Sequence, residues 1–282
     1  IIILAYPFDV NSTIENPKAV IERHVCHGGL NWRDCMKVCD CHCHVGEFYD
    51  QINKKHVSYS PAELVKCMHE ADVDLAIVSN ISAVDAPMQA NFELAEWVEE
   101  YRELVPIAWT TPEVTKVGEV RQLFALGFRG LKFHPTAGGY RADSNEVDRY
   151  LRICAQEGKP ALFHCAADES SAPERYMALA ERNPDVWIIL AHMNLFGPAE
   201  AAIRVAEAYP NICLDTSWAR PEDVKDAILR IGAERVLWGT DAPLGGECHY
   251  RRDRVRAALE SKLDEGELKS VMWGNAARLF SL

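Results

Sequence analysis

The chain has 282 residues, of which 48% are hydrophobic and 26% charged, and its formal net charge at pH 7 is -12. This composition is typical of a globular protein, and the length suffices for one large domain or two ordinary ones. The acidic balance argues against nucleic acid as a partner, because a phosphate-binding surface needs an excess of Lys and Arg. No apolar run approaches the roughly 18 residues that a membrane-spanning helix needs, so no membrane partner is expected.

The cysteines and the first residues bear on the cellular compartment. Of the ten cysteines, Cys67, Cys154, Cys165 and Cys213 each stand alone in an apolar segment, where a free thiol behaves as a small hydrophobe. A chain of this length does not need disulfides to be stable. The opening segment IIILAYPF is too short for the core of a signal peptide, and no basic segment precedes it. We therefore expect a reducing, cytoplasmic setting.

From residue 37 onward, short apolar runs alternate with amphipathic segments. In chain order the runs are KVCDCHCHV (37–45), VDLAIVSN (73–80), LVPIAWT (104–110), FRGLKFH (128–134), PALFHCA (160–166), VWIILAHM (186–193), NICLDTS (211–217) and RVLWGTD (235–241). Most are apolar throughout rather than alternating, which is typical of parallel strands covered on both faces.

The segments between these runs carry apolar residues at the three- and four-residue spacing of helices. The first opens with Ser60, Pro61 and Glu63, which is a helix-capping pattern. Eight strands alternating with helices predict an α/β fold, a (β/α)8 TIM barrel over residues 38–282. The segment 267–282 is expected to form a closing helix, and residues 1–37 an N-terminal extension packed on the barrel. A doubly wound sheet is the alternative, but it requires a glycine-rich loop after the first strand, which HVGEFYDQ is not.

The first strand, KVCDCHCHVGEF, allows either a cysteine metal site or a histidine pair. Strict alternation puts Asp40, His42 and His44 on one face and the three cysteines on the other. A cysteine site would require a second ligand pair at knuckle spacing, and none follows. We therefore predict that the histidine face points into the barrel. The cysteines, which are expected to pack outward against helices, are Cys39, Cys41 and Cys43.

Polar residues also end several later strands. The fourth strand ends with Lys132 and His134, the fifth with His164, the sixth with His192 and the eighth with Asp241. Singly, each has an ordinary explanation as a hydrogen-bonded core histidine or a turn aspartate. Together at one mouth of a barrel, however, imidazoles and a carboxylate are what a divalent metal requires. The remaining histidines are expected at the surface or in packing, with His249 near the mouth: His24, His27, His56, His69 and His249.

At these residues the chain resembles the amidohydrolase superfamily, specifically its amidohydrolase-2 branch of metal-dependent TIM-barrel hydrolases and decarboxylases. The matching motifs are DCHCHVG, GLKFHP, LFHCA, LAHM, LWGTDAP and WGNAARLF, one at each expected position between Val38 and Leu282. The resemblance implies metal ligation by His42, His44, His164 and Asp241, with His192 beside the metal-bound water.

The resemblance also bears on how many metal ions bind. In binuclear relatives, a fourth-strand lysine is carboxylated and bridges two metals. The KFH context of Lys132 is more similar to mononuclear members, in which the lysine or its neighbouring histidine faces the substrate. One divalent ion is therefore expected, Zn²⁺ first because the donors are mostly histidines, with Mn²⁺ as the alternative. A second ion is expected only if Lys132 is carboxylated.

The expected function is hydrolysis of a small, anionic amide, lactone or ester by a water whose pKa the metal lowers toward about 7. Asp241 would act as general base and His192 would stabilise the oxyanion or shuttle a proton. Lys132, His134 and Arg141 suit an anionic substrate, and Trp218 and Arg220 are candidates for lining the pocket.

Two alternatives remain open. A metal-dependent decarboxylase of an aromatic or unsaturated carboxylate would use the same residues. A non-catalytic metal-binding barrel is disfavoured, because all of the ligands that the resemblance implies are present. A small-molecule substrate is the expected partner, and a homo-oligomer is compatible with the sequence.

Overall fold

A computed structural model describes residues 36–50, 54–244 and 263–282, together with positions 255, 258 and 259. Most of the N-terminal extension expected over residues 1–37 therefore lies outside the described residues, as do His24, His27 and His249. Among the described helices, none combines the length and the apolar character that a bilayer crossing needs.

Parallel strands at eight positions form the wall of a barrel. The parallel strands are β1 (Cys39–Asp50), β3 (Leu75–Asn80), β4 (Leu104–Pro106), β5 (Ala108–Trp109), β6 (Leu131–Phe133), β7 (Ala161–Phe163), β8 (Ile188–Leu190), β9 (Ile212–Asp215) and β10 (Val236–Leu237), with β4 and β5 at one position. One further strand, β2 (Lys55–Tyr59), is antiparallel to β1. Together these strands form two sheets, ordered β2-β1-β3-β4 and β10-β9-β8-β7-β6-β5. Each of the eight predicted apolar runs contains one strand position, with β4 and β5 as two parts of the third.

The two sheets meet at two places. At the first, the chain itself passes from β4 to β5 through Ile107, whose N–H donates to the carbonyl of Val78 on β3 at 2.9 Å. At the second, backbone hydrogen bonds join β1 to the residues around β10, for example Cys41 N to Trp238 O at 3.0 Å. The predicted (β/α)8 architecture is confirmed, although the strand ladder is interrupted at both places.

Helices follow the strands as predicted, and a hairpin was not foreseen. The helices are α1 (Pro61–Glu70), α2 (Pro87–Glu100), α3 (Val117–Ala125), α4 (Pro135–Gly138), α5 (Asn145–Glu157), α6 (Arg175–Arg182), α7 (Ala199–Ala208), α8 (Pro221–Ile231), α9 (Glu265–Lys269) and α10 (Asn275–Phe280), with a π-helical turn at Ser270–Gly274 joining the last two. The predicted capping pattern of α1 is present, since Ser60 and Glu63 each accept a hydrogen bond from the other's backbone N–H. The hairpin pairs the outer part of β1 with β2, Gly46 opposite Tyr59.

An apolar cluster fills the barrel and is closed at the N-terminal end by α10. Phe280 of α10 lies beside Gly130, which immediately precedes β6, and a Cβ at Gly130 would come within 3.2 Å of its ring. The buried members of the cluster are Cys39, Cys41, Ile77, Ile107, Leu162, Ile189, Ala191, Cys213, Leu237, Ala276, Leu279 and Phe280. The closing helix expected from the sequence thus forms the floor of the barrel.

The predicted outward packing of the cysteines is wrong for Cys39 and Cys41. Both side chains belong to the cluster inside the barrel. The pairing of β1 with β3 is irregular between Asp40 and Cys43, where two residues of β1 have no counterpart on β3. Such a bulge breaks the period of two, so side chains on either side of it no longer follow strict alternation.

Candidate metal centre

Two histidines of β1 and an aspartate beyond β10 bring three donor atoms together. The Nε2 atoms of His42 and His44 lie 3.3 and 3.0 Å from Oδ1 of Asp241. All three side chains are buried at the C-terminal mouth of the barrel, where enzymes of this fold carry their sites. Asp241 has a φ of +60°, a left-handed conformation held in part by its N–H, which donates to the carbonyl of His42 at 2.7 Å.

The Nδ1 atom of each of the two imidazoles lies within hydrogen-bond distance of an oxygen atom. His42 Nδ1 lies 2.6 Å from Oδ2 of Asp215, and His44 Nδ1 lies 3.0 Å from the hydroxyl of Ser79. Metal-binding histidines ordinarily have their second nitrogen fixed in this way, which leaves the first nitrogen for the ion. The donor chemistry of His42, His44 and Asp241 therefore fits a divalent metal, and their ligand atoms lie within 4.8 Å of one another.

A second group with the same spacing consists of His42, His192 and Asp215. Here, however, the 2.6 Å separation between His42 and Asp215 is that of a direct hydrogen bond. We therefore take Asp215 as the residue that orients His42, and the group with His44 and Asp241 as the candidate metal centre.

Lys132 of β6 lies directly against this centre. Its Nζ is 2.8 Å from His42 Nε2, and the side chain is buried. Burial lowers the pKa of the Lys132 amine to about 8, against the opposing influence of Asp241 and Asp215. Because its Nζ lies so near His42 Nε2, the Lys132 amine is within reach of a ligand bound at the candidate metal centre.

The other predicted histidines lie around the centre. The rings of His134 and His164 stack with centroids 3.8 Å apart, and His192 lies 5.1 Å from His164 and 5.0 Å from His42. His164 belongs to neither group of converging donors among the described residues, so its role as a metal ligand stays a prediction. Burial lowers the pKa of His164 well below its usual value and that of His192 to about 3.

The end of β9 and the residues directly after it (215–218) make hydrogen bonds to three side chains of the site. Asp215 contacts His42, the Ser217 hydroxyl lies 2.8 Å from His192 Nδ1, and the Trp218 indole donates to Oδ2 of Asp241 at 2.7 Å. Sequence reasoning missed Asp215, Ser217 and Ser79. Asp215 ends an apolar run just as Asp241 does, and that signal could have found it.

The charge of Asp241 depends on its histidine neighbours. Burial would raise the pKa of this carboxyl, but His42, His192 and His44 together hold it well below the usual range. Asp215 differs, because burial raises its pKa and His192 only partly opposes the shift. Asp241 is therefore kept as a carboxylate, the form that ligates a metal.

Two predicted substrate or pocket residues, Arg141 and Arg220, are exposed and paired with nearby aspartates. The guanidinium of Arg141 is exposed and makes two hydrogen bonds to Asp143, at 3.0 and 2.8 Å. Arg220 is exposed as well and binds Asp223 in the first turn of α8. The substrate role of Arg141 remains a prediction, without support from these contacts.

An aromatic and apolar wall adjoins the centre. The ring of Trp109 stacks on His134 with centroids 5.8 Å apart and lies 6.2 Å from the ring of His44. Trp109 is buried with Ile81, Ala83 and Ala90, and Phe48 of the hairpin and Leu244 pack against this group. The candidate metal centre is thus polar on one side and bordered by flat apolar surface on another.

A parallel barrel with buried imidazole and carboxylate donors at the C-terminal ends of its strands defines the class of metal-dependent TIM-barrel enzymes. Residues 39–282 match the family model described as amidohydrolase, and the chain belongs to that family. The resemblance seen in the sequence motifs is therefore confirmed.

The chain is also similar to three known proteins. Gamma-resorcylate decarboxylase of Polaromonas sp. (strain JS666) is 32% identical over 124 residues, and the match covers 37% of each chain. A dihydroxybenzoic acid decarboxylase from Polaromonas sp. JS666, solved with manganese and the inhibitor 2-nitroresorcinol, has a TM-score of 0.69 at 18% identity, covering 88% of this chain and 97% of its own. An amidohydrolase from Burkholderia multivorans, solved with zinc, has a TM-score of 0.67 at 18% identity, covering 87% and 99%.

Proposed function

We propose that this protein is a metal-dependent decarboxylase of a hydroxylated aromatic carboxylate. The observation that carries the proposal is the position of the donor set against the wall formed by Trp109 and His134. A benzoate-like ring fits a flat aromatic surface, with its carboxylate toward the donors. The similarity to gamma-resorcylate decarboxylase supports this choice over the hydrolase that the sequence first suggested.

His42, His44 and Asp241 would hold the metal, with His164 as the further ligand that the family resemblance implies. When bound there, a divalent ion would supply positive charge that offsets the negative charge of the substrate. The choice between Zn²⁺ and Mn²⁺ is left to measurement, since similar proteins have been solved with each.

The residues of this chain would bind the ring and supply a proton. Trp109 and His134 hold the ring in place, and buried Lys132 adds positive charge beside the carboxylate. The bond between the ring carbon and the carboxylate breaks, its electron pair stays on the ring carbon, and that carbon takes up a proton. We assign the delivery of this proton to His192: burial favours its neutral form, and a substrate carboxylate beside it would favour the protonated form that can donate. One of its nitrogens is held by Ser217, whereas both oxygens of Asp241 have partners of their own.

The test is a product assay on the purified protein reconstituted with Zn²⁺ or with Mn²⁺. We expect 2,6-dihydroxybenzoate and related hydroxybenzoates to release CO₂ and the corresponding phenol. In D₂O, one deuterium should enter the ring at the carbon that lost the carboxylate. Removing the metal with a chelator should abolish turnover, and adding it back should restore turnover.

A variant of His192 tests the assignment of the proton donor. His192→Asn should lower kcat by a factor of about 10²–10⁴ while the metal content is retained, since general acid catalysis contributes about that much. His69→Asn is the matched control, because His69 is an exposed histidine that contacts Glu103. Hydrolysis of lactones or amides without CO₂ release would show that the hydrolase alternative is correct.

A further inference from the structure

The first strand continues beyond the barrel wall and carries Phe48 past the candidate metal centre. β1 pairs with β3 as far as Val45 and with β2 from Gly46 onward. Phe48 lies four residues beyond His44, which corresponds to about 13 Å of strand. Phe48 therefore lies farther out from the barrel than the metal donors do.

A bend at Gly46 fixes the direction of this outer part of β1. Gly46 has a φ of +103°, and a Cβ at this position would lie 2.0 Å from Oδ1 of Asn80, so only glycine fits. The Glu47 N–H donates to the Ser82 hydroxyl at 2.8 Å, and the Ser82 N–H donates to Asn80 Oδ1 at 3.0 Å. The base of the hairpin is thus held against the turn that follows β3.

Phe48 packs on the apolar wall that adjoins the candidate metal centre. Its side chain contacts the buried apolar group that contains Trp109. The ring of Trp109 lies 6.2 Å from the ring of His44 and 5.8 Å from that of His134. Phe48 remains half-buried after this packing, so part of its surface is uncovered. An accessible aromatic surface therefore borders the wall.

A substrate bound as proposed would approach Phe48 with the end of its ring that is opposite the carboxylate. The carboxylate points toward the metal donors and the ring lies against Trp109 and His134, so the far end of the ring points out of the mouth. An apolar surface such as that of Phe48 suits this uncharged end. A second, fused ring at that end would need the space that the Phe48 side chain occupies.

We propose that Phe48 is a specificity-determining residue that limits the size of the aromatic ring this site accepts. It closes the outer end of the space for the ring, and it thereby favours hydroxybenzoates over two-ring hydroxynaphthoates. The inference rests on the proposed function, which it deepens by naming the residue that selects within the substrate class.

The test measures the binding of two nitro compounds to the metal-loaded protein by equilibrium dialysis. In 2-nitrophenol and 2-nitro-1-naphthol a nitro group replaces the carboxylate, so no CO₂ can leave, and the second compound adds one fused ring. In Phe48→Ala, the Kd of 2-nitrophenol divided by that of 2-nitro-1-naphthol should rise about tenfold or more, since a single methylene group in a pocket already changes specificity by about 10–200-fold. Phe48→Leu, which removes less of the side chain, should shift this ratio in the same direction by less.

Tyr49→Ala is the matched control. Tyr49 is the next residue of the hairpin, so its side chain points to the opposite face, where it is exposed and contacts His56. The ratio of the two Kd values in Tyr49→Ala should match that of the unmodified protein. If Phe48→Ala and Phe48→Leu weaken the binding of both compounds equally, Phe48 only holds the hairpin in place, and the proposal is overturned.

The two proposals fail separately. If the protein releases CO₂ from no hydroxybenzoate, the proposed function is wrong, whereas the ratio of the two Kd values still decides the role of Phe48. If neither nitro compound binds to the unmodified protein or to Phe48→Ala, the space assigned to the ring does not exist, and the inference about Phe48 is overturned.

Discussion

At the scale of single residues, the hydrogen bond from His42 to Asp215 determines which nitrogen faces the metal. Asp215 is fully buried, and its other oxygen accepts the backbone N–H of Ser217 at 2.6 Å. Asp215→Asn keeps the shape of the side chain but removes the charge that fixes His42. We expect the metal affinity to fall about 10–100-fold, the usual effect of losing a partner that orients a ligand. Metal bound per chain, titrated against a competing chelator, measures the change.

The control for this prediction is Asp185→Asn, which changes an exposed aspartate before β8. Its metal affinity should equal that of the unmodified protein. Equal affinities for Asp215→Asn and Asp185→Asn would mean that Asp215 does not orient His42 toward a metal.

At the scale of elements, Asp40 joins β1 to the segment that follows β10. One of its oxygens accepts the backbone N–H groups of His42 and Thr240 at 3.1 and 3.0 Å, and the other accepts the Thr240 hydroxyl. Burial raises the pKa of this carboxyl from 3.8 to about 6, although these hydrogen bonds lower it in part. Compared with the unfolded chain, the fold therefore favours the protonated form of Asp40.

The raised pKa of Asp40 predicts how stability depends on pH. Between about pH 4 and pH 6 the folded protein holds a proton that the unfolded chain has released, so this contribution to stability is present below about pH 4 and is lost as the pH rises through 6. The loss amounts to about 3 kcal/mol for a shift of about two units. Asp40→Asn cannot titrate, yet its amide oxygen can accept the same two N–H groups.

Urea unfolding of the metal-free protein checks this prediction. The free energy of unfolding of the unmodified protein should fall relative to that of Asp40→Asn between about pH 4 and pH 7. Asp185→Asn, with an exposed carboxyl, should follow the unmodified protein. Parallel profiles for the unmodified protein and Asp40→Asn would contradict the raised pKa.

At the scale of the whole molecule, stability and chemistry lie at opposite ends of the barrel. Phe280 of α10 is buried in the cluster that closes the N-terminal end, whereas the metal donors line the C-terminal mouth. Phe280→Ala should lower the free energy of unfolding by about 3–5 kcal/mol, because it removes buried contacts and leaves a cavity. Metal content and turnover of the folded variant should remain those of the unmodified protein.

The matched control is Leu229→Ala, which removes an exposed apolar side chain from α8. It should change stability by less than about 0.5 kcal/mol. If Phe280→Ala lost its metal while still folded, the floor and the mouth of the barrel would be coupled, contrary to this separation.

Much of this protein was determined by the sequence alone. Apolar runs of strand length between helical segments predicted the barrel, because parallel strands covered on both faces read as continuous apolar runs. The polar residues that end those runs, such as His42, Lys132 and Asp241, were identified because the C-terminal ends of parallel strands meet at one mouth. The motifs then indicated the family.

The tertiary structure decided what depends on contacts between distant segments. The bulge in β1 turned Cys39 and Cys41 inward, since register is set by pairing with β3 and not by the strand's own sequence. The hydrogen bond between Trp218 and Asp241 joins residues 23 positions apart, which the pairing of β9 with β10 brings within reach. The residue types at the strand ends can be read from the sequence because they are local. The hydrogen-bond partner of each donor atom depends on the tertiary structure, because it comes from another strand.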